Sequence, residues 1–373
     1  MRRVSSFVTT ISIKTLGDNL MKKALLPLLI ASVLPTAAFA DVTVYGKAFL
    51  SFQNSDINNY TPGVSGSYTE VRNNESRLGV KGSESINDDL KAIYQYEVKI
   101  GADSGNAASG STIGNGPFAQ RNIYVGLQGA SWGTVKAGMF DTPLKLAQEK
   151  TDVFKDMIGD WKNVFQGETR AANILQYSTP AFANITGNLA YVSSEQAYEN
   201  TSKDGFSASV VYDTKTIYVA LADDHNVSAA NSNSALTAAT AALLTKPRLD
   251  VDILRLVGRF TIGPVVLGAM YETYDNGVAN AKGDEKKDGV MVSAIYNIDP
   301  TWAVKAQYGA SDMITLGGET ESVGVDYKLS KNTKLTGYYT VFKDDGYNAT
   351  SKLNDSKLAH DDKWLGVALE LNF

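Results

Sequence analysis

Few side chains in this chain can perform chemistry. There is no cysteine among the 373 residues, so disulfides, thiolate metal sites and cysteine nucleophiles are out. There are two histidines, His225 and His360, each beside a pair of acids, Asp223 and Asp224 or Asp361 and Asp362. Such a group at one rim is the minimum for a hydrolase, but two imidazoles are too few for a multi-histidine metal site. No metal and no cofactor is expected. The formal net charge of −5 comes without a dense basic run, so nucleic acid is not an expected partner.

The elements that must carry these side chains are legible in the composition. With 32 Gly and 19 Tyr, the chain leans towards β structure rather than a helix-rich enzyme. Residues 21–40 read as a secretory signal peptide. Lys22 and Lys23 give the positive end, Ala24 to Leu34 a short apolar run, and Ala38-Phe39-Ala40 a small-x-small cleavage site. The run is too short for a membrane anchor, and Pro27 interrupts it. Met21 is then the expected start, with residues 1–20 upstream of it, and the functional domain is 41–373.

Period-two alternation dominates that domain. In 41–53 the even positions are Val42, Val44, Gly46, Ala48, Leu50 and Phe52, and the odd ones are mostly polar. In 363–373 the odd positions Leu365, Val367, Leu369, Leu371 and Phe373 are apolar. One apolar and one polar face mark a strand between unlike environments. Sixteen such segments are expected, near 41–53, 70–82, 89–100, 118–129, 132–140, 169–179, 184–193, 205–213, 215–223, 249–262, 264–274, 288–298, 301–311, 319–329, 333–343 and 363–373. Short turns alternate with long polar connections, and most segments have the length of a tilted membrane-crossing strand. Aromatics near segment ends (Tyr45, Tyr94, Tyr96, Tyr177, Tyr191, Tyr271, Tyr274, Trp302) are expected to form interfacial girdles. The competing soluble fold is a β-sandwich or propeller.

Four motifs in order carry a family resemblance. They are Val44-Tyr45-Gly46-Lys47-Ala48, then Ser76-Arg77-Leu78-Gly79-Val80-Lys81-Gly82-Ser83-Glu84, then Arg121-Asn122-Ile123-Tyr124-Val125-Gly126-Leu127 with Trp132 to Gly138, and the terminal Phe373. Together they resemble the general diffusion porins of Gram-negative outer membranes. The resemblance implies an all-β fold, a 16-stranded antiparallel transmembrane β-barrel with an inward-folded third loop, here 141–168. It implies a homotrimer in the cell outer membrane, with lipopolysaccharide and the barrel-insertion machinery as partners and Phe373 as the assembly signal. It also implies a pore constriction that sets wall arginines (Arg77, Arg121, Arg170) against loop acids (Asp152, Asp156, Asp160).

The residues themselves support part of this. Arg77 lies opposite Leu78 and Val80 in parity, and Arg170 opposite Leu175 and Tyr177. Arg121 shares parity with Ile123, Val125 and Leu127, so it either points inward or sits at the membrane edge. The three aspartates are spaced at i and i+4, so a short helical turn would place them on one face. Arg255 and Arg259 face away from Leu254 and Leu256, either as lumen charge or as loop anchors. The loop carries Val153, Phe154, Met157, Ile158, Trp161 and Phe165, an apolar load that calls for packing against a wall. The expected function is a non-enzymatic channel for passive diffusion of small hydrophilic solutes and ions. A substrate-specific sugar or anion porin and a barrel enzyme are the alternatives.

Overall fold

The computed structural model describes residues 40–58, 66–103, 118–148, 150–194, 203–227, 251–275, 286–313, 318–344, 347–348, 353–354 and 360–373. Apart from Ala40, the expected signal peptide and the residues before it lie outside the described residues. The strands are β1 (Ala40–Ile57), β2 (Gly66–Asn73), β3 (Arg77–Asn87), β4 (Leu90–Ile100), β5 (Phe118–Gly129), β6 (Gly133–Asp141), β7 (Arg170–Ser178), β8 (Ile185–Val192), β9 (Gly205–Asp213) and β10 (Ile217–His225). They continue as β11 (Asp252–Ile262), β12 (Val265–Asp275), β13 (Lys286–Asn297), β14 (Trp302–Ser311), β15 (Gly318–Lys328), β16 (Thr333–Asp344), β17 (Tyr347–Asn348), β18 (Leu353–Asn354) and β19 (His360–Asn372).

All but the β17–β18 ribbon join one antiparallel sheet of 17 segments. Counting β2 and β3 as two halves of one crossing gives sixteen crossings. The sheet closes where β1 pairs with β19, from Lys47 opposite Asn372 to Asp56 opposite Lys363. Closure removes the open edges that no spanning sheet can leave in hydrocarbon. Phe373 finishes the seam. Its N–H donates to the Gly46 carbonyl (3.0 Å), and Gly46 N–H donates to its carbonyl (2.8 Å). Its ring lies over Gly46, where a Cβ would fall 2.3 Å from it.

The alternation in sequence becomes two faces. Along β10, Tyr218, Ala220, Ala222 and Asp224 are buried while Val219 and Leu221 are exposed. Along β19, Leu365, Val367, Leu369 and Leu371 are all exposed, whereas Trp364 and Ala368 are buried. An apolar face this extensive suits lipid and not water. Among the described residues no helix is long and apolar enough to cross a membrane. Five of the expected girdle aromatics, Tyr96, Tyr177, Tyr191, Tyr271 and Trp302, are exposed on the apolar side. Two turn the other way: Tyr274 is buried, and Tyr45 donates a hydrogen bond to Glu97 (2.9 Å).

The strand positions follow the pattern closely, with one correction. The expected second strand, 70–82, is longer and broken. Asn74, Glu75 and Ser76 leave the ladder between β2 and β3, and Glu75 adopts a left-handed backbone with φ of 60°. The register also shifts at Glu97, where Tyr96 pairs with Ile123 but Val98 pairs with Gln120. Arg121 and Asn122 thus oppose Glu97 alone, as in a β-bulge. A single-layer barrel cannot form a core between sheets. Two apolar clusters lie where residues 142–169 pack on the wall: Leu144, Trp161, Val164 and Phe165 with Ile253, Val257, Met270 and Met291, and Phe154 and Met157 with Phe49, Tyr338 and Trp364; a smaller one, Phe140, Ala171, Ile174, Ala190 and Val192, is made by wall residues alone.

Candidate functional site: a charged wall and the segment packed on it

The segment between β6 and β7 begins with a one-turn helix, Pro143–Ala147. Proline sits at its start, and Thr142 caps it by accepting from Lys145 N–H (3.3 Å). A 3₁₀ turn, Trp161–Asn163, is capped by Asp160, which accepts from Lys162 N–H (2.9 Å). Between them the chain makes turns, and Asp156 has φ of 69°. The expected helical face of Asp152, Asp156 and Asp160 therefore does not form. The carbonyls that a helix would use internally are taken by wall side chains instead. Thr151 O accepts from Ser293 (2.6 Å), Val153 O from Lys305 (2.9 Å) and Gly159 O from Gln307 (3.1 Å).

One side of the segment is fixed by such contacts. Arg255 is fully buried and donates to Leu144 O (3.0 Å) and Gln166 O (2.9 Å). Its guanidinium also pairs with Glu272 and lies 4.6 Å from the Trp161 ring centre. Tyr218 OH donates to Ala147 O (2.6 Å). Glycines in the wall make room for the segment's rings: a Cβ at Gly289 would lie 2.6 Å from Phe165, and one at Gly324 would lie 3.1 Å from Phe154. Of the two sequence readings for Arg255, loop anchoring is the one observed.

The other side carries the charges. Asp156 accepts from Lys47 Nζ (2.7 Å) and Arg77 Nη2 (3.3 Å). Burial alone would raise its carboxyl, but Lys47 and then Arg77 outweigh burial and hold it well below the usual carboxylate range. Asp160 accepts from Asp156 N–H (2.8 Å) and pairs with Lys162 (3.4 Å). Asp152 is elsewhere. It accepts from Phe154 N–H (3.0 Å), and its second oxygen is buried without a partner. Burial, reinforced by the charge of Asp160, pushes its carboxyl well above the usual range.

The wall arginines are brought together, but mostly with wall acids. Of the three, only Arg77 pairs with one of the expected loop acids, Asp156. Arg121, turned by the bulge, is buried between Glu97 (2.7 Å) and Glu75 (2.8 Å). This resolves its parity conflict: it faces the polar side. Arg170 pairs with Asp141 (2.9 Å) and donates to Asn122 (3.2 Å). Lys145 bridges Asp141 (3.0 Å) and Glu168 (3.7 Å). These groups line a polar cavity of about 280 Å³ that holds six bases (Arg77, Arg121, Lys145, Lys155, Lys162, Arg170) and six acids (Glu75, Glu97, Asp141, Asp156, Asp160, Glu168). The wall acids and Lys47 are functional candidates that the arginine-centred reading missed. Lys47 and Glu97 share the polar parity of their strands, so a parity test applied to every charge finds them. Glu75 sits in the strand break, where parity has no meaning.

Comparison with known proteins gives the family and the fold. The profile of the Gram-negative porin family matches residues 27–347. The major outer membrane protein P.IB of Neisseria sicca is 26% identical over 346 residues, covering 84% of this chain and 91% of that protein. The protein of the same name from Neisseria gonorrhoeae is 31% identical over 188 residues, or 48% of this chain and 51% of that protein; in that match the chain spans about half the relative's length. Among solved structures, an anion-selective porin from Comamonas acidovorans superposes with a TM-score of 0.65 at 20% identity, covering 90% of this chain and 100% of that one. OmpF of Salmonella typhi in complex with daunomycin gives 0.64 at 18% identity, covering 89% and 97%. These two share the fold. The family match spans most of the chain and agrees with the closed barrel: the chain belongs to the Gram-negative porin family and is an outer-membrane β-barrel channel protein.

Proposed function

We propose that the chain, exported by way of the 21–40 signal peptide, forms a water-filled channel for passive diffusion of small hydrophilic solutes and ions, and that residues 142–169 fold into its interior as the constriction. The observation that carries the reading is the reach of this segment. It contacts Lys47 on β1, Arg77 on β3, Arg255 on β11, Ser293 on β13 and Lys305 on β14, always on the polar-parity face. A short segment touches strands around a closed ring only by crossing its inside. There Arg77, Arg121 and Arg170 stand near Asp156 and Asp160, and opposed charges across a narrow path orient water and dipolar solutes and raise the barrier for apolar or bulky ones. Asp152 is buried within the segment and contributes packing rather than field.

A substrate-specific porin needs aromatics free along the path. Phe49, Tyr218 and Tyr338, which have the right parity, are buried against the segment, and this favours general diffusion. The channel reading is also non-enzymatic. His225 Nδ1 lies 2.9 Å from Asp252, and its other nitrogen lies 2.9 Å from Asn226, so no hydroxyl nucleophile is engaged. The cavity's six bases and six acids balance, and removal of 1–40 takes away more bases than acids. The selectivity expected is therefore weak and cationic. A homotrimer is proposed, with lipopolysaccharide around the apolar wall and Phe373 read by the insertion machinery. A solved relative by fold, OmpT of Vibrio cholerae, is described as a trimer form. Planar-bilayer recording of the purified protein tests the reading. Step conductances that rise in proportion to salt and are not blocked by added sugars are expected. Saturable block by one solute class would move the reading to a specific porin, and absence of channels would end it.

A further inference from the structure

If charge in the cavity governs which ions pass, single residues can tip its balance. Glu75 is placed unlike the other acids there. It stands in the break between β2 and β3 with a left-handed backbone, φ 60°. The break is built by its neighbours. Asn74 N–H donates to Phe49 O (2.8 Å), Ser76 N–H donates to Asn73 Oδ1 (3.1 Å), and Phe49 N–H donates to Ser76 Oγ (2.9 Å). The Glu75 carboxylate plays no part in these bonds. It receives two bases instead: Lys99 Nζ at 2.5 Å and Arg121 Nη1 at 2.8 Å. Arg121 keeps a second carboxylate, Glu97, on its Nε at 2.7 Å. Lys99 is paired with Glu75, and its side chain is 36% exposed.

We infer that Glu75 is a specificity-determining residue of the channel: it masks Lys99 and the outer edge of Arg121, and so keeps the cavity from favouring anions. The inference rests on the channel reading above. Its physical basis is local. A carboxylate within hydrogen-bond distance of two cations cancels much of their field at the distances a passing ion samples, and a charge further off does not. Breaking the strand re-aims one side chain into the wall, which places that carboxylate between bases from two different strands. Loss of its charge leaves Lys99 uncompensated where water reaches it, beside a cavity in which six bases then face five acids.

The test is the reversal potential of purified protein in a tenfold gradient of potassium chloride. Glu75→Gln keeps the shape and removes the charge, and its cation-to-anion permeability ratio is expected to fall about two- to fourfold at 0.1 M salt. The effect should shrink as salt rises. Glu75→Asp should stay near the unsubstituted channel. Glu321→Gln removes the same charge from the exposed outer side of β15 and should leave the ratio unchanged. Should Glu75→Gln fail to assemble, Lys99→Gln alone should raise the cation-to-anion ratio and the Glu75→Gln/Lys99→Gln pair, which removes one acid and its base together, should return it to near the unsubstituted value; a ratio in the pair equal to that of Lys99→Gln overturns the inference. Channels whose ratio is unaltered by loss of Glu75, or altered equally by Glu321→Gln, overturn the inference and leave the channel reading intact. An unsubstituted protein that forms no channel overturns the channel reading itself, and the inference with it.

Discussion

Two parts of the polar wall treat the packed segment in opposite ways. The part from β10 to β16, joined by Phe49 on β1 and Trp364 on β19, holds it with neutral or charge-assisted bonds to backbone carbonyls, apolar clusters and glycine gaps. The part from β1 to β7 offers charged side chains and leaves a cavity. Asp152 and Asp156, four residues apart, show the contrast in one turn of chain. Asp152 is buried on the gripping part with one oxygen unpaired, while Asp156 binds two bases of the open part. The difference teaches that anchoring and charge are separated: one part fixes where the segment lies, and the other sets charged side chains beside the cavity.

The separation can be broken from the anchoring part first. Arg255→Ala strands Glu272 as a buried, unpaired charge and frees two carbonyls, a loss of about 3–5 kcal/mol for such a site. The expected result is a lower melting temperature in detergent and noisy, larger openings; quiet channels of normal size would show that the anchor is dispensable. Deleting Phe373 removes the two seam hydrogen bonds to Gly46, about 0.5–1.5 kcal/mol each, and the ring that covers it. Less folded protein in the outer membrane is expected, and the channels that remain should conduct normally, because Phe373 has lipid-face parity and is 60% exposed.

On the open part, Arg77→Glu replaces a base beside Asp156 with an acid. Its reversal potential should move clearly towards cations at low salt and return as salt screens the field; an unmoved value would place Arg77 off the ion path. The smallest effect sharpens the Asp152–Asp156 contrast. The carboxyl of Asp152 is raised in the folded protein, so its burial costs little below the unfolded value near 3.9 and more as pH climbs through the folded value. Asp152→Asn should therefore melt slightly higher than the unsubstituted protein at pH 8, with the gap closing towards pH 4. A gap that widens towards acid would mean that Asp152 is a stabilising anion. Asp156 is lowered, so the support it gives is present above the unfolded value and lost only as pH falls through its lower folded value.

Much of the barrel was legible because alternation is a local property, and the strands at 118–129 and 333–344 fall almost where the pattern puts them. What failed to show is what depends on register. The bulge opposite Glu97 that turns Arg121, and the break that carries Glu75, arise from pairing between strands, and a parity count assumes that pairing is regular. The helical face expected for Asp152, Asp156 and Asp160 was misleading for a related reason. Local spacing favours a turn, but Ser293, Lys305 and Gln307, far along the chain, claim the carbonyls that a helix would need. The apolar residues of the segment were the better guide, because burial of Phe154, Trp161 and Phe165 requires a wall whichever local conformation forms.

The central claim is that residues 142–169 narrow the channel from within. Deleting residues 150–162 removes Phe154, Asp156 and Trp161 together with their contacts to β1, β3 and β11. Single-channel conductance in planar bilayers measures the outcome most directly. The account predicts a larger unit conductance with weaker discrimination by solute size. A deletion variant that assembles and conducts with an unchanged unit step would contradict it and place the constriction elsewhere.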